Sequence, residues 1–392
     1  MEFNRKLDNI DFSGISKIVK KANAIGGDLI RLEIGDVEFS PPGSILDGIN
    51  LAFTESKTHY PAFQGDPDLI NSIVNWLNVY NHIFVKPEQI LNTAGGSMAL
   101  YLSLQTILNN GDEVLMPIPV WPHLHDMVVL AGGVPKLIPS LTEAGFHLDF
   151  ELLSRSVTSK TKAIVINTPN NPTGTIYSKN EIITLAAFAA KYDLTIISDE
   201  EYEAFSFQES PFTSPIQHYP KSIICRSFSK TFSISGLRLG FLIAPAEWIP
   251  IISKWNLYSS MYNSSIVQRA VSNALIVSRN FVADLVDTYK TRMLKVSTSL
   301  NNIQGIKCNL SEGAIYVWPD FREITTDDVE LANYFLETAK IVTIPGSIFG
   351  ANGKGFLRIS LACKDADIDK AIIRINESVH KLIKEGIHWN TN

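Results

Sequence analysis

The chain has 392 residues, of which 45% are hydrophobic and 19% are charged, and its formal net charge is −6. This length exceeds what one hydrophobic core usually serves, and the composition excludes a disordered chain, so we expect two structural units. Because no basic block occurs, we expect no binding to nucleic acid or to an anionic membrane surface.

The chain also lacks targeting and metal-binding signals. Its first residues are polar, without the apolar core of a secretion signal, and no run of about 18 apolar residues could span a membrane. Cys225, Cys308 and Cys363 are scattered and lack metal-ligand spacing, so we interpret them as small apolar residues in a reducing compartment. We therefore expect a cytoplasmic protein without a metal site.

Short apolar runs alternate with helical patterns through the middle of the chain. Ser178, followed by Glu181, has the spacing of a capping box at a helix start. The first predicted elements are a helix at 97–108, a strand at 113–116, a helix at 121–130 and a strand at 134–138. A strand at 162–167 and a helix at 178–192 follow. The last three elements are strands at 195–198, 222–226 and 239–244. Such alternation predicts an α/β unit with a mostly parallel sheet flanked by helices, whose ligands bind beyond the carboxyl ends of the strands.

The C-terminal part has a different pattern. Residues 271–298 are predicted to form one long helix, and short strands at 314–318 and 356–360 mix with helices near 326–339 and 365–385. This order is typical of a smaller α+β unit.

The segment SFSKTFSISGLRLG at residues 227–240 follows a predicted strand. A lysine shielded from water, here Lys230, loses its proton readily and can act as a nucleophile or base. The hydroxyls of Ser227 and Ser229, with the Arg238 guanidinium, could grip a phosphate. A surface lysine in a serine-rich loop is the other interpretation.

Three more polar segments follow predicted strands. TPNNPTG at 168–174 is either a plain turn or a rigid loop that directs Asn171 inward. SDEEY at 198–202 places Asp199 at a buried strand end, where it needs a cationic partner, whereas Glu200 and Glu201 are interpreted as an ordinary acidic loop. TAGGSMAL at 93–100 starts a helix whose free N–H groups could bind phosphate, or forms only a turn.

Together these segments resemble the class I, fold type I aminotransferases that depend on pyridoxal 5'-phosphate, the aspartate-aminotransferase-like family. The resemblance extends over nearly the whole chain and includes LEIGD at 32–36, YPAFQG at 60–65, PGSIFG at 345–350 and FLRIS at 356–360. It implies a large cofactor-binding domain at 41–289 and a small domain made of 1–40 and 290–392. It also implies a homodimer with shared active sites.

The resemblance implies a role for each matching residue. Lys230 would carry the cofactor as a Schiff base and then move the proton, Asp199 would keep the pyridine nitrogen protonated, and Arg358 would bind the substrate carboxylate. At the cofactor ring, Asn171 and Tyr202 would contact the hydroxyl oxygen, and Trp121 would either stack on the ring or pack in the core. The implied phosphate contacts are Gly95, Gly96, Ser97, Ser227, Ser229 and Arg238, together with Tyr60, which would reach the phosphate of the neighbouring subunit. Gly35 would lie beside the substrate carboxylate. His123 and His125 are expected to be packing or surface residues, and Met98, Trp255 and Trp318 to lie in the core.

The implied reaction moves an amino group between an L-amino acid and a 2-oxo acid. Residues 255–263 contain no arginine for a second substrate carboxylate, and Ser97 stands where some dicarboxylate users of the family have lysine. Both features weaken a strict aspartate preference and leave aromatic, aliphatic or specialised amino acids open.

Other functions remain possible on this sequence. The same residues would serve elimination, replacement or oxidative chemistry with the same cofactor. A non-enzymatic sensor normally has a DNA-binding head, for which the roughly 30 residues before the first motif are too few. A degenerate binding protein is disfavoured because the lysine, the aspartate and both arginines are present.

Overall fold

A sheet that is parallel except for one strand forms the centre of the protein. The computed structural model describes Ile10 and residues 14–385. Within them, the sheet has seven strands in the order β2-β8-β7-β6-β5-β3-β4, and only β8 runs antiparallel to its neighbours. The strands are β2 (Ile90–Thr93), β3 (Glu113–Ile118), β4 (Val134–Pro139), β5 (Thr161–Asn167), β6 (Thr195–Asp199), β7 (Ser222–Ser227) and β8 (Gly240–Ile243). The prediction of a mostly parallel sheet is confirmed.

Helices cover both faces of this sheet. Successive residues of β6 show the arrangement, because Ile196 and Ile197 are both fully buried but belong to different core clusters on opposite faces. Burial on both faces explains why the strands are continuous apolar runs. The helices of this part are α2 (Gly43–Thr54), α3 (Pro67–Asn81), α4 (Gly96–Ile107), α5 (Pro122–Leu130), α6 (Phe150–Ser156), α7 (Lys179–Tyr192), α8 (Ile249–Ser259) and α9 (Ser265–Val277).

Local signals fix two of these helix starts. The predicted capping box is present at α7, where the Ser178 hydroxyl accepts from the Glu181 N–H and the Glu181 carboxylate accepts from the Ser178 N–H. Helix α4 follows Gly95, whose φ of 84° is unfavourable for any residue with a Cβ. The glycine thus sets the direction in which α4 leaves the sheet.

The single helix predicted over 271–298 is wrong, because the structure has two helices there. Helix α9 ends at Val277 and α10 (Arg279–Asn301) begins after Ser278. Ser278 has a non-helical backbone, with φ −102° and ψ 31°, and its hydroxyl lies 2.5 Å from that of Ser44. The backbone conformation of Ser278 ends α9, although its N–H still donates to the Ala274 carbonyl.

The smaller sheets come mainly from the C-terminal part. Strand β12 (Leu357–Ser360) lies between β11 (Ile344–Pro345) and β9 (Tyr316–Val317), and β1 (Ile30–Arg31) pairs in parallel with β10 (Ile341–Val342). They are accompanied by α1 (Gly14–Ile25), α11 (Asp328–Tyr334), which continues as a π-helical turn at Phe335–Ala339, and α12 (Asp365–Glu385). The division into domains 1–40 with 290–392 and 41–289 stays a prediction, and its residues 1–9, 11–13 and 386–392 lie outside the described residues.

Predictions about the tryptophans, the cysteines and membrane-spanning helices can also be compared with the structure. Trp318 is buried, as predicted, but Trp255 is 44% exposed and is therefore not a core residue. Cys225 and Cys308 are buried, whereas Cys363 is only partly buried. No helix in the described part of the chain is long and apolar enough to cross a membrane.

Candidate active site

A cavity of about 350 Å³ opens beyond the carboxyl ends of β5, β6 and β7. These ends meet because Asn167, the last residue of β5, is in register with Asp199, the last residue of β6. The predicted site residues that line the cavity are Gly35, Gly96, Ser97, Trp121, Asn171, Asp199, Tyr202, Ser227, Ser229, Lys230, Arg238 and Arg358. Residues separated by more than 300 positions are thus brought to one place.

Asp199 is a buried carboxyl group at the floor of this cavity. Burial, and secondarily the neighbouring charge of Glu201, raise the pKa of Asp199 to about 8. One of its oxygens, Oδ1, accepts a hydrogen bond of 3.2 Å from the Glu201 N–H, which fixes the carboxyl group. A cation placed against Asp199 would restore its ionised form, because an opposite charge offsets desolvation.

Lys230 extends from the loop after β7, and its side chain is 13% exposed. Its Nζ lies 3.6 Å from Oδ1 of Asp36, a half-exposed carboxylate whose other oxygen accepts a 2.8 Å hydrogen bond from the Ser235 hydroxyl. Within the described part of the chain this amine forms a solvent-accessible ion pair with Asp36 and also attracts the Glu201 carboxylate. Lys230 can exchange the Asp36 carboxylate for another partner at a low cost in free energy, because exposed ion pairs contribute little to stability.

One end of the cavity is shaped to receive an anion. Helix α4 begins there at Gly96, and the buried hydroxyls of Ser227 and Ser229 lie 2.9 Å apart beside it. Arg238 approaches from the far side: its Nη1 donates to the Ser235 carbonyl, and its Nη2 would lie 2.6 Å from a Cβ built on Gly95. Free helix N–H groups, hydroxyls and a guanidinium together make a phosphate site.

The opposite end contains Arg358, which is 3% exposed. Its Nη1 donates to Oδ1 of Asn171 at 3.0 Å, and its Nη2 donates to the Glu33 carbonyl at 2.6 Å. Its Nε is buried and has no hydrogen-bond partner among the described residues. An acceptor such as a ligand carboxylate would satisfy this donor, which is costly to leave unpaired.

Two tyrosines close the wall between these ends. The hydroxyls of Tyr202 and Tyr316 are 2.7 Å apart, and burial raises the pKa of Tyr202 well above its usual value. Gly35 lies against the second tyrosine, since a Cβ built on it would come within 2.1 Å of the Tyr316 hydroxyl oxygen. Gly35 is therefore required for a close approach and is not only a turn residue.

Two predicted site residues lie outside the cavity lining. Gly95 is the residue that precedes α4 and contacts Arg238 rather than the cavity. Tyr60 is 79% exposed, and its ring packs 4.9 Å from that of Tyr262. This position does not test the expectation that Tyr60 reaches the site of a neighbouring subunit.

The interpretation of Glu200 and Glu201 as an ordinary acidic loop is wrong. Glu200 is fully buried and pairs with the buried Arg226, whose Nη2 lies 2.7 Å from its Oε2. Glu201 lines the cavity beside Ser227, Lys230 and Arg238. Sequence reasoning missed both because a run of acidic residues usually faces solvent. The buried Arg226, one strand away, could not be recognised as the partner of Glu200.

His123 is also closer to the site than expected. It lines the cavity and stacks on Trp121, with ring centroids 4.6 Å apart and an angle of 28° between the planes. Burial lowers the pKa of His123, so the ring stays neutral at pH 7. Trp121 both faces the cavity and packs against the core, which agrees with both interpretations of this residue.

The pattern of the family described as aminotransferase class I and II matches residues 27–375. This chain belongs to that family. Enzymes of the family use pyridoxal 5'-phosphate and act on amino acids and 2-oxo acids. The chain is accordingly a pyridoxal-phosphate-dependent aminotransferase with the predicted fold, and the resemblance inferred from its motifs is confirmed.

Individual relatives of this aminotransferase differ in the substrates that their names give. A probable aspartate/prephenate aminotransferase of Aquifex aeolicus is 35% identical, with 94% of this chain and 95% of the relative covered. Aromatic-amino-acid aminotransferase 2 of Thermococcus litoralis is 32% identical, with 98% and 99% covered. The aspartate aminotransferase of Thermus thermophilus with maleate superposes with a TM-score of 0.91 at 31% identity, with 96% and 100% covered.

Proposed function

We propose that this aminotransferase binds pyridoxal 5'-phosphate covalently through Lys230 in the cavity described above. The observation that carries the proposal is the convergence of three groups on one cavity: the Lys230 amine, the buried Asp199 carboxyl and the anion-binding end at α4. Their chemistry fits an aldehyde, a basic ring nitrogen and a phosphate. When bound, the cofactor supplies an electron sink for the substrate Cα.

Asp199 and its neighbours would control the charge at the cofactor ring. The Asp199 carboxylate would hold a proton on the ring nitrogen, and in return the pyridinium charge would ionise Asp199. Asn171 and Tyr202 lie on the cavity wall and would hydrogen-bond the ring hydroxyl oxygen. Trp121 would cover one face of the ring.

Lys230 would then move the proton. When its amine is free, Lys230 would take a proton from the substrate Cα, hold it at Nζ and give it back during the transfer. Asp36, 3.6 Å away, would stabilise the protonated amine between these two events. The phosphate would be held by Ser227, Ser229, Arg238 and the backbone N–H groups of Gly96 and Ser97, whereas the Gly95 N–H already donates to the Thr93 carbonyl.

Arg358 would bind the substrate α-carboxylate. Its unpaired Nε and its position opposite the anion-binding end would orient the amino acid along the cavity, with Gly35 leaving room for the carboxylate. A planar guanidinium gives two parallel hydrogen bonds that a lysine cannot.

The substrate side chain would be apolar or aromatic. The lining residues without a role in these contacts include the apolar Ile15, Val19, Ile34 and Leu100 and the aromatic His123, besides Glu33, Glu201, Ser235 and Tyr316. Among the described residues that line it, the positive charges are Lys230, Arg238 and Arg358, and each already has a proposed partner. No cation of this chain is therefore left for a second substrate carboxylate in the described lining.

The enzyme would work as a homodimer with shared active sites. Tyr60, Phe63, Tyr258 and Met261 are exposed to between 38% and 86%, and Tyr60 and Phe63 both contact Tyr262. Exposed apolar groups that cluster in this way are typical of an interface. We also propose the two-domain division predicted above, and a cytoplasmic location.

The proposed cofactor linkage can be tested by borohydride reduction of the cofactor-saturated enzyme followed by peptide mapping. We expect the label on Lys230 and none in Lys230→Ala. A label on another lysine, with Lys230 unmodified, would contradict the proposal. A panel of amino acids, followed by absorbance in single turnovers, should favour aromatic or aliphatic amino acids over aspartate.

A further inference from the structure

One feature of the anion-binding end does not fit a simple phosphate site. The Glu201 carboxylate lies inside it: a Cβ built on Gly96 would come 2.5 Å from Glu201 Oε2 and 3.2 Å from the Ser227 Cβ. The carboxylate, the start of α4 and the Ser227 side chain therefore converge on one point. This point lies beside the first residue of α4, whose free N–H groups are proposed to hold the phosphate.

The partners of Glu201 are those expected for the phosphate. Its carboxylate interacts with the Ser227 hydroxyl and is attracted by Lys230 and Arg238. Asp199, from the same segment, is the other acidic group that interacts with it, and α4 contributes a glycine rather than a charged side chain. Two anions cannot share this set of donors without strong repulsion, which grows as water is excluded.

We propose that Glu201 competes with the cofactor phosphate and that binding of the phosphate requires the Glu201 carboxyl group to take up a proton. As a neutral acid, Glu201 donates a hydrogen bond to a phosphate oxygen instead of repelling it. Burial already raises the pKa of Glu201, although Lys230, Ser227 and Arg238 oppose the shift. A phosphate dianion beside it acts in the same direction as burial.

This inference rests on the proposed cofactor site and deepens it. It predicts that cofactor affinity falls as pH rises, and that this loss of affinity occurs only for ligands that carry the phosphate. Pyridoxamine 5'-phosphate is a suitable probe because it carries the phosphate but cannot condense with Lys230. Pyridoxamine, which lacks the phosphate, is the matched ligand.

The experiment measures the dissociation constants of both probes by equilibrium dialysis with the apoenzyme between pH 6 and pH 9. For Glu201→Gln, which keeps the shape but not the charge, we expect pyridoxamine 5'-phosphate to bind about tenfold more tightly than to the unmodified enzyme at pH 8. The gain should shrink toward pH 6, and pyridoxamine should bind equally to both. Glu151→Gln is the control, since it removes an exposed carboxylate that does not line the cavity and should change the affinity of neither probe.

Calorimetry in buffers of different ionisation enthalpy tests the unmodified enzyme directly. It should take up more protons than Glu201→Gln when pyridoxamine 5'-phosphate binds at pH 8. Equal affinities and equal proton uptake, with the phosphate probe still bound, would overturn this inference alone. Failure of the unmodified enzyme to bind either the probe or pyridoxal 5'-phosphate would instead overturn the proposed function.

Discussion

Arg358 on β12 donates a 3.0 Å hydrogen bond to Oδ1 of Asn171, which lies in the loop after β5. Strands β12 and β5 belong to different sheets, so this bond links the small C-terminal sheet to a loop that follows a strand of the large one. Arg358 also lies over the ring of Tyr316, with its Cζ 4.4 Å from the centroid. Its guanidinium plane is thus fixed before any ligand arrives.

Replacement of Arg358 by lysine should lower kcat/KM by about 100-fold, because a point charge replaces a bidentate contact that is worth a few kcal/mol. The loss should be similar for amino acids with different side chains, since they share the α-carboxylate. Steady-state kinetics with several donors gives the measurement. Arg322→Lys is the matched control, because Arg322 makes a bidentate pair with Asp320 away from the cavity; an equal loss there would contradict the assignment.

The free energy of unfolding of the apoenzyme should decrease as pH rises, because of Asp199. Its pKa is raised by burial to about 8, above the usual value near 4, so the folded state holds this proton more tightly than the unfolded state. The resulting stabilisation is complete below about pH 4 and is lost as pH rises to about 8. Its size is on the order of a few kcal/mol.

Urea unfolding of the apoenzyme and of Asp199→Asn between pH 5 and 9 measures this effect. The asparagine side chain does not titrate in this pH range. The difference in unfolding free energy between the two proteins should therefore change up to about pH 8 and then level off. A constant difference would show that Asp199 is ionised in the folded apoenzyme. With cofactor bound, Asp199→Ala should lose most turnover.

The close approach of Gly35 to Tyr316 can be tested by a double-mutant cycle. Gly35→Ala should lower kcat/KM by about tenfold, because its Cβ would meet the tyrosine oxygen at 2.1 Å and shift the backbone near the substrate carboxylate. Tyr316→Phe removes that oxygen, and the next atom, Cζ, is 3.2 Å from the Cβ. Gly35→Ala should therefore lower kcat/KM much less in the Tyr316→Phe background than in the unmodified enzyme. Additive losses would disprove the steric explanation.

Tyr60 offers a test of the shared active site. Tyr60→Phe should weaken cofactor binding by about tenfold, the size expected for one hydrogen bond to a charged group, while light scattering still finds a dimer. Tyr258→Phe, at a similarly exposed tyrosine, is the control and should leave the affinity unchanged. Light scattering that finds only a monomer, with full activity, would contradict the dimer.

Sequence reasoning found the elements whose signals are local. The capping box of α7, the apolar runs of β5 and β6 and the polar residues after them are visible in short windows, and strand ends gather at one edge of a parallel sheet by topology alone. The assignment of roles at Tyr60, Gly35 and Arg358 depended on the family resemblance, because nothing near these residues in sequence indicates what they face.

The features that were missed depend on contacts between distant segments. Glu200 looks solvated until Arg226 is placed beside it, and Glu201 looks similar although it faces the cavity. The Ser278 hydroxyl, at the break between α9 and α10, contacts that of Ser44, more than 200 positions earlier. Such partners become neighbours only in the folded chain, so no window of sequence reveals them.

The separation of Arg358 from the other proposed site residues has a consequence for biosynthesis. Lys230, Asp199 and the strands that hold them are complete once the ribosome has passed Ile243, whereas β12 leaves the exit tunnel much later. A nascent chain therefore acquires the groups proposed to bind the vitamin-derived cofactor well before it acquires the arginine proposed to recognise the amino acid.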